Sequence, residues 1–153
     1  MIMQYRKADI NDVPALAAIR SADWETPAFW QMRIAGYMNA ELHPQQALSQ
    51  RVVFLAAENE TVLGFIAGHL TTRFSCDGEL QWINVVPAYR RTGMATELLR
   101  VLAAWFIEQD AFNICVNAAI DDATGQRFYK RNGAEDLSDH WLVWKDISVV
   151  LKK

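Results

Sequence analysis

The segment from Glu79 to Asn117 constrains this chain more than any other. Glu79 to Val86 reads as a β-strand that Pro87 ends. A short basic loop follows, and Thr92 to Gln109 then carries Ala95, Leu98, Leu99, Leu102, Ala103 and Phe106 along one helical stripe. Phe112 to Asn117 is a short apolar strand directly after it. Strand, helix and strand in close succession are most economically built as a parallel pair with a right-handed crossover. The loop between strand and helix would present successive backbone N–H groups at the positive end of a helix dipole, which is a seat for a diphosphate. Gly93 and Ala95, at alternate positions, would let the anion approach the backbone closely.

The rest of the chain frames that unit. Met3 to Ala8 is an expected first strand, and Asp9 or Asn11 caps a helix that has Pro14 in its first turn and runs to about Ser21. A second helix is expected from Pro27 to about Leu42, closed by Pro44. Arg51 to Glu58 and Val62 to Thr72 read as a hairpin around Asn59-Glu60, with Gly64 and Gly68 marking a bulge or a close packing. Asp121 to Arg131 is a helix ended by Asn132-Gly133 in a left-handed cap, and His140 to Ile147 is an expected last strand. The expectation is one α/β domain over residues 1–153 with a mixed sheet.

Composition excludes several function classes. With 52% apolar residues and six Trp the chain is not disordered, and at 153 residues it can bury a proper core. The net charge of −3 gives no global field for nucleic acid or anionic membrane, so any phosphate binding must be local. The first residues turn polar at once, and no apolar run approaches the roughly 18 residues of a membrane span, which makes a cytoplasmic location the expectation. Cys76 and Cys115 are far apart and read as buried free thiols. His43, His69 and His140 form no ligand spacing, so no metal is expected.

The loop matches neither the G-x-x-x-x-G-K-[ST] nor the G-x-G-x-x-G phosphate pattern. Arg90-Arg91-Thr92-Gly93-Met94-Ala95, preceded by Val85-Val86-Pro87, resembles the [QR]-x-x-G-x-[GA] signature of the GNAT N-acetyltransferase superfamily. Asp122-Ala123-Thr124-Gly125-Gln126-Arg127-Phe128-Tyr129, followed by Lys130-Arg131-Asn132-Gly133-Ala134, is similar to the family's N-x-x-A-x-x-F-Y segment with its basic pair and G-F. The departures are Asp122 for Asn, Gly125 for Ala and Ala134 for Phe.

The resemblance implies a mostly antiparallel mixed sheet flanked by helices, with a splayed parallel strand pair. It also implies acetyl-CoA as co-substrate and acetyl transfer to a primary amine of a small molecule or protein. Arg91, Thr92, Gly93, Met94, Ala95 and Thr96 would then hold the pyrophosphate, and Ile83, Val85 and Val86 would pair with the pantetheine arm like an added strand. The Val85 amide would polarise the thioester carbonyl, and Asp122 would face the arm. Tyr129 is implied as the acid that protonates the departing thiolate. Glu79, eleven residues before Arg90, is spaced like the glutamate base of histone-type members.

The acceptor side is expected around Asp23, Trp24, Glu25, Phe29, Trp30 and Arg33, where carboxylates and aromatics suit a cationic amine. Helical core packing is the competing reading of those aromatics. Trp141 and Trp144 are candidates for the opposite wall or a dimer contact, and homodimers are common among the proteins the chain resembles. Two further readings keep the fold: a transferase using another acyl-CoA, and a non-catalytic acyl-CoA-binding or regulatory module.

Overall fold

In a computed structural model, residues 2–22, 25–119 and 122–152 are described. The elements are β1 (Met3–Lys7), α1 (Val13–Arg20), α2 (Pro27–Met38), β2 (Ala47–Glu58), β3 (Thr61–Thr71), β4 (Gly78–Val85), α3 (Met94–Glu108), β5 (Ile114–Asn117), α4 (Ala123–Arg131), β6 (Glu135–Ser138) and β7 (Trp141–Trp144). They form a seven-stranded sheet in the order β1-β2-β3-β4-β5-β7-β6. Every neighbouring pair is antiparallel except β4–β5, which is parallel.

Period-two alternation in β2 divides the core between the two faces of the sheet. Val52, Phe54 and Ala56 join Ile66, Leu80 and the α3 stripe of Leu98, Leu99, Leu102 and Phe106. Val53, Leu55 and Ala57 join Phe65, Trp82 and the inner sides of α1 and α2, including Leu16, Trp30, Ile34 and Tyr37. Each such side chain contributes about 1.5–3 kcal/mol on burial, so the two clusters hold helices on both faces. Gly64 and Gly68 let α3 approach: a Cβ at Gly68 would stand 3.0 Å from both Leu102 and Phe106. Both expected meanings of these glycines hold, because the register also shifts beside each, at Ala56/Ala57 in β2–β3 and at Ala67/Gly68 in β3–β4.

Several boundaries differ from the sequence expectation: β2 begins at Ala47, four residues before Arg51, and three other differences have a clear cause. α2 stops at Met38, four residues before Leu42, because the chain turns at Ala40 (φ +58) and folds Leu42 back over Gly36. The N–H groups of Glu41 and Leu42 both donate to the Gly36 carbonyl. The expected last strand His140–Ile147 is the second arm of a hairpin, β6–β7, and Ile147 already starts a 3₁₀ turn. β6 escaped the sequence reading because all four of its residues are exposed at the sheet edge and show no alternation. α3 begins at Met94, since Arg91 (φ +66) and Gly93 (φ +91) are left-handed and cannot continue a helix backwards.

The parallel pair is short. Only Gly78, Glu79 and Leu80 face Ile114, Cys115 and Val116. Beyond Leu80, Gln81 is an extra residue against β3, since Gly68 faces Leu80 and Ala67 faces Trp82. β5 meanwhile ends at Asn117, which faces Trp141 of β7. The two strands therefore part at Gln81. Asp77 fixes the closed end: its carboxylate accepts from the N–H groups of Phe112 (3.0 Å) and Asn113 (3.1 Å).

Candidate active site

Hydrogen-bond alternation fixes what β4 offers to this gap. Val86 N–H donates to the Leu63 carbonyl at 2.9 Å. In an antiparallel ladder the next residue then turns its N–H outward, so Val85 opposite Gly64 and Ile83 opposite Ile66 direct theirs away from β3 and into the gap. The Val86 amide, by contrast, is spent on the sheet, and its carbonyl accepts from Tyr89 N–H. Gln81 Oε1, at the point of divergence, is buried and has no hydrogen-bond partner among the described residues.

The loop after β4 is tied down from within. Arg90 Nε donates to the Val85 carbonyl at 3.0 Å, and the Thr92 hydroxyl donates to the Tyr89 carbonyl. Gly93 occupies the N-cap of α3, where no side chain caps the first turn. The N–H groups of Met94, Ala95 and Thr96 belong to that first turn and carry its partial positive charge. A Cβ on Gly93 would meet nothing within 4 Å, so the space above the turn is open. Arg91 and Thr92 are exposed, whereas the Met94 side chain is buried under Gly64 and offers only backbone.

Tyr129 of α4 is buried, with its ring edge-on to Trp144 at 5.8 Å and to Phe128 at 5.6 Å. Burial pushes its phenol well above the ordinary value; the Asp122 carboxylate acts in the same direction and the Arg20 guanidinium against it. Asp122 caps α4, accepting from Gly125 N–H at 2.9 Å. Arg20, at the end of α1, donates to Asn84 Oδ1 of β4 at 2.7 Å and lies 4.9 Å above the Trp30 ring. The site therefore draws on α1, β4 and α4 together. Arg20 and Asn84 were not singled out from sequence, although a charge on the apolar stripe Val13-Leu16-Ala17-Arg20 was a signal.

Glu79 is not a solvent-facing strand start. It is buried, and its Oε1 accepts from Arg73 Nε at 3.1 Å, with His69 Nε2 at 3.6 Å. Its backbone pairs with Cys115, so it stands at the closed end of the parallel pair. Arg73 stacks on Trp141 at 4.6 Å. Cys76 and Cys115 are free and buried beside this cluster. Nothing in the sequence spacing pointed to Arg73 or His69, because the register of β3 on β4 brings them to Glu79.

The expected acceptor residues are only partly assembled. Asp23 and Trp24 lie outside the described residues. Trp30 is core, packed edge-on to Trp82, and Arg20 already covers its face. Phe29 and Glu25 are exposed, with Arg33 at 5.9 Å over the Phe29 ring. Trp144 is fully buried and donates from Nε1 to the Asn132 carbonyl, which corrects its expected place in a wall or dimer contact. Trp141 borders an open groove of about 360 Å³ that Ala118, Gln126, Asp136, Asp139 and His140 also line. Among the described residues no group of His, Cys, Asp or Glu is placed to hold a metal, and no helix is long and apolar enough to cross a membrane.

Solved structures share this architecture. The PaiA N-acetyltransferase of Thermoplasma acidophilum, in complex with coenzyme A, aligns at TM-score 0.73 and 16% identity over 95% of this chain and 99% of its own. An aminoglycoside 6′-N-acetyltransferase of Acinetobacter haemolyticus aligns at TM-score 0.76 and 17% identity, covering 89% of this chain and 93% of its own. Another aminoglycoside 6′-N-acetyltransferase, complexed with coenzyme A, aligns at 0.75 and 15% identity over 96% and 97%. At such identities the likeness is one of fold. No curated protein matches the chain in sequence. The sequence model of the Acetyltransferase (GNAT) family, however, matches residues 15–134, most of the chain and all of the strand–loop–helix unit, and the protein belongs to that family.

Proposed function

We propose that residues 1–153 form one acetyl-CoA-dependent N-acetyltransferase domain, which moves an acetyl group to a primary amine by direct attack in a ternary complex. The observation that carries the reading is the continuity of two open backbone surfaces. The outward N–H groups of Ile83 and Val85 lead directly into the uncapped first turn of α3, with open space above Gly93. The residues fit the co-substrate: the outward amides of Ile83 and Val85 suit an extended amide chain, and the α3 turn suits a diphosphate.

Arg91, Thr92, Gly93 and the amides of Met94, Ala95 and Thr96 hold the diphosphate in this reading, Ile83 and Val85 hold the arm, and Asp122 borders it. Val86 shapes the strand end, since its amide is engaged. Acetyl-CoA supplies an activated thioester whose carbonyl carbon the amine nitrogen attacks as the carbon–sulfur bond breaks. One of the outward N–H groups of β4, that of Val85 or, nearer to Glu79, that of Ile83, polarises the carbonyl oxygen. Tyr129 gives its proton to the departing sulfur and recovers one from solvent. Its raised phenol stays protonated at neutral pH, which excludes a base; the same rise makes it a weaker acid, so its proton moves only as charge builds on the departing sulfur. Glu79 takes the amine proton through water.

Calorimetry with coenzyme A and thiol release with a panel of primary amines test the reading together. Heat on titration and thiol release that depends on the amine are expected. Absence of heat with folded protein would end it. Binding without release for any amine would leave a binding module instead.

A further inference from the structure

His69 is a buried titratable side chain of the sheet that this chemistry leaves without a task. It is fully enclosed in β3 and lies opposite Glu79 of β4 in register, so the two side chains stand together on one face. Behind it, the Tyr37 hydroxyl of α2 is 2.9 Å from Nδ1. Burial raises the Tyr37 phenol well above its ordinary value; Arg51, 5.0 Å over the ring, opposes this, and Glu79 adds to it. A phenol kept protonated in such a place needs an acceptor, and Nδ1 is the one at hand. Nδ1 therefore accepts, and Nε2 is the ring nitrogen that bears a hydrogen.

Nε2 has no hydrogen-bond partner at bonding distance, and it faces Glu79 Oε1 at 3.6 Å. Arg73 Nε reaches the same oxygen at 3.1 Å. Two donors thus converge on Oε1, and Oε2 is the oxygen that neither holds. From β5, the Cys115 thiol faces the same carboxylate; burial and then Glu79 raise it above its ordinary value. Tyr37, Arg51, Glu79, Arg73 and Cys115 are the titratable and charged groups around the ring.

We propose that His69, fixed by Tyr37 as the Nε2–H tautomer, is a positioning residue for Glu79: with Arg73 it clamps Oε1 and leaves Oε2 directed to the amine's proton. The proposal rests on the reading of Glu79 given above. A merely structural histidine would lower stability when replaced and leave turnover per folded molecule unchanged.

The experiment compares His69→Leu, His69→Gln, Glu79→Gln and the double variant Glu79→Gln/His69→Leu, using an amine that the wild type acetylates. His69→Leu should lower kcat by about tenfold, part of the ~10²–10⁴ that positioned proton transfer contributes, with the acetyl-CoA KM within about twofold. His69→Gln, whose amide N–H₂ can stand near the Nε2 position, should recover most of that loss. The double variant should be no slower than Glu79→Gln, because the histidine acts only through the carboxylate. Long-range ¹⁵N–¹H spectra of the wild type should show Nδ1 unprotonated. Wild-type kcat in His69→Leu or in Glu79→Gln, no recovery in His69→Gln, additive losses, or a proton on Nδ1 would each overturn it. Should the leucine variant not fold, the glutamine variant and the spectrum still decide. A wild type that acetylates no amine would sink the functional reading, whereas the spectrum tests the tautomer independently of turnover.

Discussion

Gly93→Ala separates backbone strain from ligand binding at one residue. Gly93 has φ +91 and ψ −1, in the left-handed region. An L-residue there costs roughly 1–2 kcal/mol, offset by about 0.4–1 kcal/mol because alanine stiffens the unfolded chain. The new Cβ would meet nothing within 4 Å, so no steric penalty is added. Net destabilisation is then about 1 kcal/mol, or roughly 2–4 °C in Tm for a chain of this size. The same methyl group enters the open space proposed for the diphosphate. Losing one or two charge-assisted hydrogen bonds at about 1.5 kcal/mol each lowers coenzyme A affinity roughly tenfold to a hundredfold. Gly78→Ala is the control: its Cβ would stand 2.5 Å from the Phe106 ring and 3.0 Å from Ile114, at the closed end of β4. Overpacking there should cost about 1–3 kcal/mol of stability and leave affinity intact. Titration calorimetry and urea melts of both variants read the two effects. Coenzyme A affinity within about threefold of wild type in Gly93→Ala, or equal losses in the two variants, would refute the placement of the diphosphate.

Tyr129→Phe should lower kcat by about 10²-fold or more while coenzyme A affinity stays near wild type, read by thiol release and calorimetry; equal turnover removes the phenol from the mechanism. Alkaline stability follows from raised proton affinities. Burial lifts the Cys115 thiol and the Tyr129 and Tyr37 phenols, so the folded chain keeps protons that the unfolded chain releases above about pH 8.5 and about pH 10. Their contribution is complete below those values and is lost as pH rises through the folded ones, by about 1.4 kcal/mol per pH unit for each group. Urea melts from about pH 8 to about pH 11 should show the decline beginning with the thiol, and Cys115→Ala should remove that first part; a flat profile contradicts the burial argument. Amide exchange should be fast at Ile83 and Val85 and slow at Val86 in the free protein, with coenzyme A slowing the first two; protection at all three without ligand would mean that the gap is closed.

What could be read from sequence was periodic or punctuated. The α3 stripe, the Asn59-Glu60 hairpin turn (φ +50 and +67) and the Gly133 cap (φ +104), where Gly133 N–H donates to Lys130 and Ala134 N–H to Tyr129, all stand where local chemistry put them. The turn from Arg90 to Ala95 could be placed for the same reason, since its left-handed Arg91 and Gly93 act on the backbone within a few residues. The cluster of Tyr37, His69, Arg73 and Glu79 could not. It is assembled by α2 packing and by the register of β3 on β4; Gly68 marked a bulge or a close packing in the sequence, but not which residues the shifted register would bring together. Trp144 misled because an aromatic on a strand carries no sign of which face it takes; its Nε1 bond to the Asn132 carbonyl settles it as core.

The gap between β4 and β5 shows how such non-local effects combine. Parallel pairing lasts three residues because Gln81 is inserted against β3 and because β5 has only four residues before the chain leaves for α4. Either change alone would be absorbed: a longer β5 could follow a bulged β4, and an unbulged β4 could stay beside a short β5. Together they leave alternate N–H groups, about 6.8 Å apart along the strand, with no strand to receive them. Open to water, these N–H groups stay solvated and remain available to an incoming acceptor. In the proposed function, an extended ligand with amides at matching intervals would take the place of that missing strand. The first turn of α3, which no side chain caps, follows directly on that strand edge, so in the proposed function the seat for the diphosphate and the seat for the arm are contiguous.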